Sequence, residues 1–128
     1  MANIAYFQIP ADNVDRAKFF YRNLLGWKVE PTKTPMDPAQ VAATQFQDIN
    51  TGAAKEGTLT MGGLYKRQNT ENIINFVTVE DIDKVLAMVG KLGGKIMMPK
   101  MEVKSVGLTA IIQDTEGNAI GLWKPAKK

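Results

Sequence analysis

The reactive side chains this chain lacks say as much as those it has. Its 128 residues include neither histidine nor cysteine. There is no imidazole base, no thiolate nucleophile, no disulfide, and no Cys- or His-ligated zinc or iron–sulfur centre. Proton transfer is left to Asp, Glu, Lys and Tyr, and any metal to oxygen ligands. Asp114 and Glu116 look like a carboxylate pair, but Asp114-Thr115-Glu116-Gly117-Asn118 has the composition of a hairpin turn. Asp12, Asp15, Glu80, Asp81 and Asp83 stand where helix caps and first-turn acids belong. Gly62-Gly63 and Gly93-Gly94 lack the spacing and the Lys-Ser/Thr of a phosphate-binding loop. Met97-Met98-Pro99-Lys100-Met101 reads as strand packing or a pliable pocket wall. Glu56-Gly57-Thr58 reads as a connection or a lid.

The elements that position these residues come from a repeat. Tyr6–Arg16 lies over Ile74–Lys84 at an offset of 68, with Leu24 on Leu92 and Gly26 on Gly94. Gly63-Leu64-Tyr65-Lys66 lies over Gly121-Leu122-Trp123-Lys124 at an offset of 58, so the first half carries about ten extra residues. Their best place is between Ile49 and Gly57. Each half reads β-α-β-β-β. The first strand spans Ile4–Ile9 and ends at Pro10; Asp12 or Asn13 caps a helix with the apolar stripe Val14, Ala17, Phe20, Tyr21 and Leu24, closed by Gly26. Its counterpart runs from strand Ile73–Val79 through a cap at Glu80 or Asp81 to the stripe Ile82, Val85, Leu86, Val89 and Leu92. Further strands are predicted at Trp27–Glu30, Ala42–Asp48 and Thr58–Leu64, with a Pro-rich loop after the first. The second half has Lys95–Met98, Gly107–Gln113 and Ala119–Trp123.

Length and composition agree with one domain over residues 1–128: a module of about 1–67, a second of about 70–125, and a basic tail at 124–128. The charge is +3, from 16 basic against 13 acidic residues, and the basic residues are scattered. No nucleic-acid partner is expected. No apolar run is long enough to span a bilayer, and Met1–Gln8 followed by Pro10 does not read as a signal peptide, so no membrane partner and a cytoplasmic location are expected.

Gln8-Ile9-Pro10-Ala11-Asp12, Asp15–Tyr21 and Leu25-Gly26-Trp27 resemble the opening of the vicinal oxygen chelate superfamily. That superfamily includes glyoxalase I, bleomycin-resistance proteins and extradiol dioxygenases. Val79–Asp83, Leu92–Lys95, Met98-Pro99-Lys100 and Asp114–Trp123 carry the likeness through the second half, nearest the small glyoxalase-like branch related to lactoylglutathione lyase. The resemblance implies an α+β fold in which two βαβββ modules in pseudo-twofold repeat form a curved mixed sheet around a cup, with helices on the outer face. It places the family's metal ligands on the first and last strand of each module, at Tyr6, Gly63, Ile74 and Gly121. A slip of two residues puts Gln8 in the first place. None but Gln8 offers a ligand, so no metal and no cofactor is expected.

Strand alternation then assigns the cup-facing side chains. Tyr6, Gln8, Met61, Tyr65, Phe76 and Trp123 become the candidate ligand-binding residues, around Gly63 and Gly121. The reading favoured is a binding protein for a small, partly apolar or planar molecule, dimeric as is common in the family. A metal-independent lyase or isomerase using Tyr6, Tyr65 or a loop carboxylate is the alternative. A structural or regulatory dimer, with the aromatics as core or interface, is the third.

Overall fold

The computed structural model describes residues 2–53 and 59–126. Glu56-Gly57-Thr58, the predicted start of a strand at Thr58, and Lys127 and Lys128 of the basic tail lie outside the described residues. The chain is α+β, and two compact units are present, residues 6–73 and residues 74–126 with 2–5.

The first unit is built from β1 (Ile4–Ala11), α1 (Val14–Leu25), β2 (Lys28–Pro31), α2 (Pro38–Thr44), β3 (Gln47–Asn50) and β4 (Met61–Lys66). Its sheet order is β2-β3-β4-β1, with β1 parallel to β4 and the other pairs antiparallel. The second unit has β5 (Ile74–Thr78), α3 (Ile82–Val89), β6 (Lys95–Val103), β7 (Gly107–Gln113) and β8 (Ala119–Pro125). Its order is β6-β7-β8-β5, with β5 parallel to β8 and the rest antiparallel. The βαβββ repeat is therefore a repeat of pairing as well as of sequence.

The caps are those the sequence offers. The Asn13 side chain accepts from the Arg16 N–H at 2.9 Å, and Asp81 accepts from the Lys84 N–H at 3.0 Å. Gly26 adopts φ 70° and returns its N–H to the Arg22 carbonyl, ending α1 in the left-handed conformation that glycine takes without a Cβ penalty. Each helix covers one face of its own sheet. Under α1 lie Ile9, Ala11, Val14, Val29, Ile49 and Leu64, with Phe7, Ala17, Tyr21 and Trp27 packed against them. Under α3 lie Ile82, Ala110 and Leu122, with Val85, Leu86, Leu108 and Ile112. Leu64 is fully buried, a contribution of about 2 kcal/mol.

Several boundaries differ from the sequence reading. Residues 38–44 form a helix, not the start of a strand: Asp37 accepts from the Ala39 N–H and Pro38 occupies the first turn, where its missing N–H costs nothing. β1 does not stop at Pro10. The Arg67 N–H donates to the Ala11 carbonyl, so in a parallel ladder Ala11 and Ile9 turn their amides to β4 while Pro10 turns away and leaves no donor missing. β6 continues through Pro99 to Val103 for a related reason, because the register shifts between Met98 and Met101. The extra residues of the first half are split. Ladder partners place Glu30 over Met98 at an offset of 68, Asp48 over Ile111 at 63, and Gly63 over Gly121 at 58. Five precede β3, where α2 sits, and five follow it. Finally, Phe20, Leu24 and Leu92, read as buried stripe, are 55%, 64% and 70% exposed. Phe20 and Leu24 lie to one side of the line through Val14, Ala17 and Tyr21 that meets the sheet, and Leu92 falls in the short 3-10 turn beyond α3.

Candidate site on the helix-free face of the first unit

Ile9, Ile49 and Leu64 belong to the core under α1, so by alternation Gln8, Asp48 and Gly63 project from the opposite face. The ladder aligns them. Gln8 pairs with Gly63, Gly63 with Asp48, and Asp48 with Glu30, making one row across all four strands. Tyr6, Phe46 and Tyr65 flank the row. The Phe46 and Tyr65 rings stack with centroids 6.1 Å apart and planes 15° from parallel. A Cβ at Gly63 would lie 2.5 Å from both the Phe46 ring and the Tyr6 hydroxyl. The bare backbone there is what lets two aromatic side chains converge.

Hydrogen bonds hold the polar members. The Asp48 carboxylate accepts from the Thr32 hydroxyl at 2.8 Å and from the Lys33 N–H at 3.0 Å. Burial pushes the Tyr6 phenol far up and the Asp48 charge adds to this, while a hydrogen bond to the Gln8 side chain pulls it partway back. Burial likewise raises Tyr65, helped by the Glu71 carboxylate, to which its hydroxyl donates at 3.3 Å. Glu71 is itself held below the usual carboxylate range: its burial works the other way, but the backbone N–H groups of Glu71, Asn69 and Gln68 and the Tyr65 hydroxyl outweigh it. Arg67 braces the same turn through the Asp12 carboxylate and the carbonyl of Glu71. Both phenols are thus held in the neutral form, as hydrogen-bonding groups.

Of the predicted residues, Tyr6, Gln8 and Tyr65 gather here. Met61 lies on the same strand and parity but is 62% exposed. Phe76 and Trp123 belong to the second unit. Phe46 and Asp48 were not singled out by sequence; both fell in one predicted strand two residues apart, but nothing there fixed their register against Gly63.

The equivalent row of the second unit is Phe76, Gly121, Ile111 and Met98. Phe76 is buried, and its ring covers Gly121 so closely that a Cβ there would overlap it. A Cβ at Gly107 would meet the Lys124 carbonyl first and then the edge of the Trp123 ring. The turn after β7 is the predicted one: the Asp114 carboxylate accepts from the Glu116 and Asn118 N–H groups, which hold its pKa down.

The implied metal can be tested against each unit. In the first, the family's positions hold Tyr6 or Gln8 and Gly63, and in the second Ile74 or Phe76 and Gly121. Among the described residues, no three His, Cys, Asp or Glu side chains gather closely enough to hold an ion. The family's own positions thus bring one carboxamide and one phenol, a poor set for a divalent cation, while the carboxylates of the row, Asp48 and Glu30, stand on β3 and β2, and Asp48 is already held by Thr32 and Lys33.

Residues 3–122 match the family model of the Glyoxalase/Bleomycin resistance protein/Dioxygenase superfamily. The chain belongs to this superfamily. Over 109 residues it is 29% identical to a Mycobacterium bovis protein named "Putative glyoxylase CFP32", and equally to its Mycobacterium tuberculosis counterpart. The match takes in 84% of this chain but 40% of those relatives, so the chain spans well under half their length. Among solved structures, a hypothetical protein (BH1468) from Bacillus halodurans superimposes with a TM-score of 0.69 at 12% identity, covering 99% of this chain and 96% of that one. Streptomyces coelicolor methylmalonyl-CoA epimerase, in complex with 2-nitronate-propionyl-CoA, gives 0.68 at 16% identity, with 97% of each chain covered. At such identities the superfamily member shares a fold with these proteins, and its chemistry rests on its own residues. Among the described residues no helix is long and apolar enough to cross a membrane.

Proposed function

We propose that this chain is a cytoplasmic glyoxalase-like binding protein that takes a small, partly apolar or planar molecule without the superfamily's metal. The ligand contacts the face of the first unit opposite α1, at Tyr6, Gln8 and Tyr65, with Phe46 and Asp48 beside them. The reading is carried by the replacement at Gly63: where the family's last strand supplies a carboxylate, this unit brings the Phe46 ring and the Tyr6 hydroxyl over bare backbone. Stacked rings favour a flat ligand, and Gln8 with the anionic Asp48 favours one bearing hydrogen-bond donors. The lyase or isomerase alternative draws less support, since burial disfavours the phenolate that either tyrosine would need to act as a base.

A thermal-shift screen tests the proposal, using fused-ring compounds such as riboflavin, acridine and naphthoic acid, each in excess EDTA and again with added divalent ions. A binder at 100 times its Kd adds about 2.7 kcal/mol of stability. At least one compound is expected to raise Tm equally in both buffers. A response that appears only with metal overturns the reading, as does a broad screen without any shift.

A further inference from the structure

The edge strand of the second unit gathers sulfur on one face. Met97, Met98 and Met101 all lie on β6. Strict alternation would put Met97 and Met101 on one side of the strand and Met98 on the other. The ladder does not run that way. Ile96 pairs with Ile112 and Met98 with Ile111, so Met97 is an extra residue with no opposite number. A second extra residue precedes Met101, which pairs with Thr109. Ile111 and Thr109 share the side of β7 turned away from Ala110 and Ile112, which pack under α3. Met98 and Met101 therefore share that helix-free face, and Met97, following the helix-side Ile96, joins them. Ile111 and Thr109 are two residues apart, which sets Met98 and Met101 about 7 Å apart, within reach of two flexible side chains.

The charged residues of this stretch turn the other way. The Lys100 ammonium lies 2.8 Å from the carboxylate of Asp83 on α3, and Glu102, the one carboxylate of β6, pairs with Leu108 on the helix side. Met97 and Met101 are 57% and 47% exposed, so packing within the unit uses only part of either side chain. The first unit has no counterpart. At the offset of 68 the three methionines correspond to Val29, Glu30 and Lys33, and β2 pairs with β3 without a register shift. Two inserted residues and three sulfurs thus occur together, on one strand of one unit.

We propose that Met97, Met98 and Met101 form a binding site for a soft monovalent cation, copper(I) in its chemistry. Thioether sulfur is a neutral, polarisable donor that selects such ions. Hard divalent cations need oxygen ligands, and no carboxylate of β6 shares this face. The register shifts are the device that turns three donors to one side, and the edge position leaves the ion a way in. The site lies two strands from Gly121, the superfamily's ligand position in this unit, and uses none of the superfamily's ligand positions.

Isothermal titration of the whole chain in chloride-free buffer tests this, with silver nitrate as one probe and acetonitrile-stabilised copper(I) under argon as the other. One ion of either metal is expected per chain. Leucine keeps the volume of methionine and removes the sulfur. Met97→Leu, Met98→Leu and Met101→Leu should each weaken silver binding roughly tenfold, and the triple variant should abolish it. Met88→Leu, at an exposed methionine of α3, should leave it unchanged. In the wild type, silver should shift the methyl NMR signals of Met97, Met98 and Met101 and spare those of Met36, Met61 and Met88, a readout that needs no variant to fold. Failure of either ion to bind, binding that survives the triple variant, or equal shifts at every methionine overturns the proposal. No organic ligand takes part in this experiment, so its failure leaves the binding reading untouched.

Discussion

Two rows of four residues occupy the same ladder positions in the two units and have opposite chemistry. Gln8, Gly63, Asp48 and Glu30 cross the first sheet; Phe76, Gly121, Ile111 and Met98 cross the second. The glycine is common to both, and its purpose differs. At Gly121 it admits one buried ring from the adjacent strand, and the row closes on itself. At Gly63 it admits the ends of two side chains, Tyr6 from β1 and Phe46 from just before β3, with an amide and a carboxylate on either side. One backbone frame therefore carries a packed face in one copy and a polar, aromatic face in the other, and an organic ligand is argued only for the latter.

The largest test of that contrast is Gly121→Ala. Its methyl must displace the Phe76 ring, and we expect a loss of about 3 kcal/mol in urea denaturation, partly recovered when Phe76→Ala is added. Gly63→Ala should cost less, about 1 to 2 kcal/mol, because it meets the ring tip of Phe46 and the Tyr6 hydroxyl, which can swing aside. Equal losses at the two glycines would break the comparison. Phe46→Ala removes the half-buried ring stacked on Tyr65 and should cost about 2 kcal/mol in the same assay while weakening any ligand found by the screen.

Much of this frame is legible in the amino-acid sequence alone. The repeat, Gly26 and the candidate caps at Asn13 and Asp81 are local signals, each set by a few neighbouring residues. They predict that Asn13→Ala and Asp81→Ala destabilise by about 1 kcal/mol each, an equality that sharpens the contrast by showing where the units do not differ. What is not legible depends on pairing. Phe46 and Asp48 join the site only once Asp48 is registered against Gly63, and no run of residues encodes that register by itself. Residues 38–44 do carry a helix signal in Asp37-Pro38, but three prolines within eight residues read more strongly as loop. Periodicity marks Phe20 and Leu24 as apolar members of α1 without saying what faces them, since a side turned to the core and one turned to solvent or a partner share the same spacing.

The smallest expected effect concerns the turn that braces Tyr65. Glu71 titrates below its ordinary 4.5 in the folded chain, so its contribution is fully present above that pH and is lost as pH falls through the lowered value. Glu71→Gln should remove this part of the acid dependence, worth under about 1 kcal/mol in a half-buried group at the surface. A pH–stability curve unchanged by the substitution would detach the turn from Tyr65.

The central claim is that the polar row, and not its apolar counterpart, meets the ligand. Amide and methyl NMR spectra recorded while a binder from the EDTA screen is titrated in test it most directly. The account predicts shifts concentrated at Tyr6, Gln8, Phe46, Gly63 and Tyr65, with Phe76, Ile111 and Gly121 unmoved. Shifts centred on Phe76 and Gly121, with the first row silent, would contradict it.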